Sequence, residues 1–139
     1  MPDFTFHRGE RLKSRKTIER LFKEGNSFAQ YPLRVIWVVQ EESQSDFPVQ
    51  FALSVSKKKF KRAVDRNRIR RLVREAYRLN KAILYEKLGI EDTNAPQTAK
   101  QIALMIIYTG VEILTFAEIE KAMRELLRRF VKKRLTNNQ

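Results

Sequence analysis

Apolar residues recur along this chain with two different spacings, and the switches between them divide it into seven elements. From Arg15 to Glu24, Ile18, Leu21 and Phe22 stand at i, i+3 and i+4, the helical period. Ser14 is placed to cap that helix, and Gly25 is expected to end it in the left-handed region. The period then drops toward two. Ser27 to Gln30 reads as a short strand before Tyr31 and Pro32, Leu33 to Gln40 as a longer strand, and Val49 to Ser56 as a third. The polar loop Glu41 to Asp46 is expected to join the second and third as a hairpin. In the third strand Val49, Phe51, Leu53 and Val55 point one way, and Gln50, Ala52, Ser54 and Ser56 the other. One face is core; the other is small and polar, open to a ligand lying across it or simply to solvent. The second strand is apolar on both sides, which predicts cover on both, by the core and by the first helix.

After the third strand the helical period returns. Ile69, Leu72, Val73, Ala76 and Ile83 form one stripe, with Asn67, Arg70, Arg71, Arg74, Arg78 and Lys81 opposite and Asp65 expected as the N-cap. Leu88 to Thr98, with Gly89 and Pro96, reads as a loop, and the continuously apolar Ile102 to Tyr108 as an internal, parallel strand. Thr115 and Glu118 form a capping box for a last helix to about Arg134, with the stripe Ile119, Ala122, Met123, Leu126, Leu127 and Phe130. Residues 1–13 are expected as an irregular basic arm and 135–139 as a polar tail. The 139 residues thus predict a single α+β domain of order α-β-β-β-α-β-α, helices packed round a four-stranded mixed sheet.

Charge narrows the function. The formal net charge is +13, and from Lys57 to Lys81 twelve Lys and Arg face only Asp65 and Glu75. The implied partner is a polyanion, nucleic acid first and an acidic membrane surface second. A charge run is more often a solvated face, but such faces mix signs at i, i+4 and this one barely does. Arg66 and Arg68 fall in the expected first turn, where the positive dipole end disfavours cations by about 0.3–1 kcal/mol. Guanidiniums beside free N–H groups suit phosphate instead.

Several chemistries are not supported. There is no cysteine, which removes disulfides, thiolate catalysis and cysteine-based zinc sites, and the one histidine, His7, lies in the basic arm. Glu41, Glu42, Asp46, Glu91 and Asp92 fall in loops, while Glu118, Glu120 and Glu125 decorate a helix. No P-loop, GxSxG or metal-ligand cluster occurs, so neither a protein catalytic residue nor a small-molecule substrate is expected. Without a run of 18 apolar residues or the apolar core of a signal peptide, the chain is expected in the cytoplasm and off the membrane.

Ser54 to Lys58, SVSKK, followed after a short basic bridge by Ala63 to Arg78, AVDRNRIRRLVREAYR, resembles the bacterial ribonuclease P protein component. That family's signature is a strand ending in a Ser/Lys-Lys turn and then an RNR helix. Arg11 to Gly25, RLKSRKTIERLFKEG, and the element order extend the resemblance over nearly the whole chain. It implies a cytoplasmic RNA-binding subunit of a ribonucleoprotein endoribonuclease. Such a subunit binds the ribonuclease P catalytic RNA and the 5′ leader of precursor tRNA, with catalysis resting on Mg2+ held mainly by RNA. By position, Arg66, Asn67, Arg68, Arg70, Arg71 and Arg74 would face the catalytic RNA. Ile18, Phe22, Ile36, Ser54, Lys58 and Arg62 would line or edge a leader cleft between the first helix and the sheet. The resemblance also implies a left-handed βαβ crossover around the RNR helix, against the usual rule. Ile18 and Ile36 stand where the family often has aromatics, and a base stacked on an aromatic gains about 1–3 kcal/mol. Leader binding is therefore expected to lean on Phe22, shape and charge, although Phe22 also fits a core position. Two other readings stay open, a structural RNA-binding module such as a ribosomal or assembly protein, and a stand-alone metal nuclease.

Overall fold

The computed structural model describes residues 10–40, 49–87 and 101–137. The arm before residue 10, with His7, and the two loops expected at Glu41 to Asp46 and Leu88 to Thr98 lie outside them. The elements are α1 (Arg15–Glu24), β1 (Asn26–Gln30), β2 (Leu33–Gln40), β3 (Val49–Val55), α2 (Ala63–Lys87), β4 (Gln101–Tyr108) and α3 (Phe116–Asn137), in the predicted α+β order. The final helix runs past Arg134, so Leu135 to Asn137 are helical rather than part of a polar tail.

The sheet order is β1-β2-β4-β3. β4 therefore lies between β2 and β3, antiparallel to one and parallel to the other, and the expected β2–β3 hairpin does not form. The cause is the burial demand of β4. Its unbroken apolar run has no polar side to give to solvent, so the central place falls to it and β3 is displaced to the edge.

Helices α2 and α3 cover one face. Phe51 stacks on Tyr77 of α2 at 4.1 Å, and Trp37 meets Phe28 and Phe130 edge-on at 5.8 and 5.0 Å. Ile69, Val73 and Ala76 of α2 and all six predicted stripe residues of α3 are buried in this cluster. On the other face α1 lies over Ile36, Val38, Ala103 and Met105, adding Leu21, with Ile18 packed at the margin. The two-sided apolar pattern of β2 is thus explained as predicted.

Local capping matches the sequence in two places. Ser14 Oγ accepts from Thr17 N–H, and Thr115 and Glu118 exchange the two hydrogen bonds of the capping box. At Gly25 the expectation fails, for its φ is −70° and ψ 147°, extended backbone. Its smallness serves close approach instead, because a Cβ there would press into the Leu21 carbonyl oxygen and Ile36 Cγ2.

The end of the basic arm is not wholly irregular. Leu12 N–H donates to the Phe51 carbonyl, and Arg11 bridges to Phe51 in parallel sense, so this stretch covers the outer edge of β3. Glu10 is fully buried. Its carboxylate accepts from Lys81 Nζ at 2.8 and 3.0 Å and from the Tyr85 hydroxyl at 2.7 Å. Lys81, expected on the cationic stripe, is consequently an interior residue. The stripe stops where the arm crosses α2.

Candidate nucleic-acid interface

The basic surface begins at the turn after β3. Ser56 Oγ accepts from the backbone N–H of Lys58 and Lys59, and Ser56 O from Phe60 N–H, closing a tight turn. Phe60 anchors it by packing against Tyr108, with ring centroids 5.9 Å apart. The apolar anchor forces the charged residues around it outward, so Lys57, Lys58, Lys59, Lys61 and Arg62 are all exposed. Lys59 Nζ donates to Thr109 O and ties the turn to the end of β4.

Helix α2 starts at Ala63, two residues before the expected Asp65 cap, and Asp65 sits inside the first turn, where its negative charge is favourable. The Arg62 carbonyl accepts from both Asp65 and Arg66 N–H and so holds the first helical bonds. This shift changes the role of Arg66. Its guanidinium folds back and donates from Nη1 to the carbonyls of Phe60 and Lys61 at 2.8 and 2.9 Å, closing the turn-to-helix junction.

The outward stripe of α2 carries Asn67, Arg70, Arg71 and Arg74, with Arg68 on its flank. Arg70 donates to Asn67 Oδ1 at 3.2 Å. Among the described residues, no ion pair joins Arg68, Arg70, Arg71 or Arg74 to a carboxylate, whereas Arg78 is paired with Glu75 and Lys81 with Glu10. The cationic surface is therefore unneutralised at one end of α2 and neutralised at the other. Partial burial, and then the charges of Arg11 and Arg70, lower the Arg74 pKa from its usual value. The guanidinium stays charged regardless, and the repulsion marks a concentrated positive field. Arg11 belongs to this field. Sequence reasoning missed it as a site residue, because nothing local in the arm says that it is laid against α2.

The predicted cleft residues divide differently. Helix α1 runs along β2, with Thr17 bonded to Gln40 at one end and Gly25 against Ile36 at the other. Arg20 reaches the Val39 carbonyl on one flank of the helix. Ile18, on the other flank, packs against the margin of the cluster beneath α1, as Ala52 and Ile107 do, and Phe22 stands one turn further along that flank. Phe22 is 59% exposed, which rules out a core role. Ser54 is half-buried on the same face, opposite Ile107, and Lys58 and Arg62 follow beyond the end of β3. Ile36 is only 8% exposed and belongs to the cluster beneath α1, so it supports the helix and offers no open surface. Phe22 is thus exposed on the flank of α1 that carries Ile18, while Ala52, Ser54 and Ile107 are half-buried on the sheet face that α1 packs on, and Lys58 and Arg62 are exposed beyond the end of β3.

Among the described residues no group of three or more His, Cys, Asp or Glu could hold a metal ion. Also among them, no helix is long and apolar enough to cross a membrane.

A family model described as Ribonuclease P matches residues 6–131. The chain is 41% identical over 126 residues to the ribonuclease P protein component of Porphyromonas gingivalis, covering 91% of this chain and 86% of that one. It is 33% identical over 132 residues to the component of Chlorobaculum tepidum, covering 92% and 84%. Among solved structures, the RNase P protein of Thermotoga maritima is similar with a TM-score of 0.62 at 25% identity, covering 86% and 96%. That of Staphylococcus aureus shares the fold with a TM-score of 0.63 at 22% identity, covering 87% and 94%. Sequence motif, sheet order and relatives therefore converge, and the chain belongs to the ribonuclease P protein family, the protein component of a ribonucleoprotein endoribonuclease.

Proposed function

We propose that this chain binds the ribonuclease P catalytic RNA through the stripe Asn67, Arg68, Arg70, Arg71 and Arg74, and holds the 5′ leader of precursor tRNA in the trough beside α1. The observation that carries the reading is that four arginines with no carboxylate partner among the described residues follow a half-buried sheet face edged by exposed Phe22, Lys58 and Arg62, which we read as a trough. Arginine forks at the start of α2 suit phosphate oxygens held in a fixed RNA fold, and binding them releases counterions. Arg66 acts by shaping the junction that presents them. In the trough, Phe22 offers a face for an unpaired base, and Lys58 and Arg62 offset phosphate charge. A structural RNA-binding module would have no use for such a trough.

Hydrolysis is assigned to Mg2+ held by RNA, which would supply the activated water. The protein's contribution is affinity and charge screening: it brings two polyanions together and lessens their repulsion. The proposed setting is the cytoplasm.

The test is cleavage of a precursor tRNA by the cognate RNA at reduced magnesium, with and without protein. Faster cleavage with protein and none by protein alone is expected; equal rates with and without it refute the reading. For the interface, Arg68→Ala with Arg71→Ala should weaken binding of the catalytic RNA and flatten the log–log salt dependence by about 0.7–0.9 per lost phosphate contact. An unchanged slope places the contact elsewhere. Crosslinking of the leader near Phe22 separates a leader-binding subunit from a purely structural one.

A further inference from the structure

On the sheet face that carries α1, the pairing registers set Ser54 opposite Ile107, Ile107 opposite Arg34, and Arg34 opposite Ala29. Paired residues point the same way, so these four form a row across all four strands. Arg34 is the one charged residue that the described strands place on this face, and it is exposed. Helix α1 covers Ile36 and Val38 of β2 and ends at Gly25 against Ile36, one alternation short of Arg34. The row thus runs past the C-terminal end of α1 and is not roofed by it. Arg34 Nη2 donates to Ser27 Oγ at 3.1 Å, which lays the guanidinium toward β1. The row spans three interstrand spacings, roughly 14 Å, enough for more than one unpaired nucleotide.

We propose that Arg34 is a further leader-binding residue, the far cation of a track that enters between Lys58 and Arg62, crosses Ser54 and Ile107, and leaves round the end of α1 over β2. This rests on the trough reading above. Charge at both ends with small and apolar floor between them fits an extended single strand, whose phosphates reach the cations while its bases meet Phe22 and Ile107. With Ile36 buried and Ile18 at the cluster margin, Phe22 is the exposed aromatic that α1 and β2 offer for stacking. A guanidinium at Arg34 adds a phosphate contact and a flat face for a base.

The experiment uses holoenzyme reconstituted from the full chain and its cognate RNA, with precursors carrying a one-nucleotide or a long leader. The readout is the ratio of long-leader to short-leader affinity. Arg34→Ala should lower that ratio about fivefold, the scale of one exposed charge contact, and Arg34→Lys should restore most of it. The loss should fall in KM, with the salt slope for the long leader flattened by about 0.7. If Arg34→Ala leaves the ratio at the wild-type value while Phe22→Ala with Lys58→Ala collapses it, the trough stands and the assignment of Arg34 is wrong. If neither variant changes the ratio, both readings fall.

Discussion

Replacing Lys81 by Met tests the inference that the N-terminal arm is locked to α2 from inside the molecule. The Lys81 side chain is 4% exposed and that of Glu10 fully buried, and the ammonium lies 2.8 and 3.0 Å from the two carboxylate oxygens. Methionine keeps the length and apolar stem of lysine but removes the ammonium that lies against the buried carboxylate. Breaking a buried pair in this one-sided way costs about 3–5 kcal/mol. Small domains are stable by only about 5–15 kcal/mol, so the loss should move the thermal midpoint by on the order of 10 °C. Thermal unfolding followed by the fluorescence of buried Trp37 measures the shift. The exposed Arg71→Met should stay within about 0.5 kcal/mol of wild type. Glu10→Leu combined with Lys81→Met should be less destabilised than Lys81→Met alone, because an apolar pair carries no stranded charge. A Lys81→Met midpoint indistinguishable from wild type would refute the buried lock.

Further outcomes follow from other contacts. Arg66→Ala should lower stability by about 1–2 kcal/mol through the lost donors to Phe60 O and Lys61 O, whereas Arg68→Ala should leave it within about 0.5 kcal/mol; denaturant midpoints of the two variants decide. Burial raises the pKa of Tyr77 and of Tyr108 in the folded protein. The stability this represents is whole below the ordinary tyrosine value of about 10 and is lost as pH rises above it toward the folded values, so alkaline unfolding should be blunted in Tyr77→Phe, as measured by midpoints across that range. Gly25→Ala should destabilise by about 1–3 kcal/mol despite a permitted φ, since the methyl meets Ile36 and the Leu21 carbonyl; a neutral result in thermal unfolding would show that α1 can shift on the sheet.

Much of this protein was legible because its signals are local. Periodicity carried the element order, the buried stripes of α2 and α3 and the double cover of β2; two caps were readable from Ser14 and from Thr115 with Glu118. The density of arginine after the SVSKK turn, unmatched by acids nearby in sequence, pointed to the surface proposed as the interface. These properties depend on neighbours within a few positions, and local chemistry decides them.

Tertiary structure decided whatever depends on which distant segments meet. Lys81 lies on the charged side of the helical wheel, yet Glu10, 71 positions earlier, draws it inside. Arg66 reads as a phosphate ligand until the helix start at Ala63 turns it onto its own backbone. Nothing in the polar loop after β2 reveals that β4 will part β2 from β3, and without that order Arg34 has no place beside Ile107 and Ser54. A side chain's intrinsic preference is written beside it in the chain, but its burial, its counter-charge and its neighbour across a sheet are set by long-range packing.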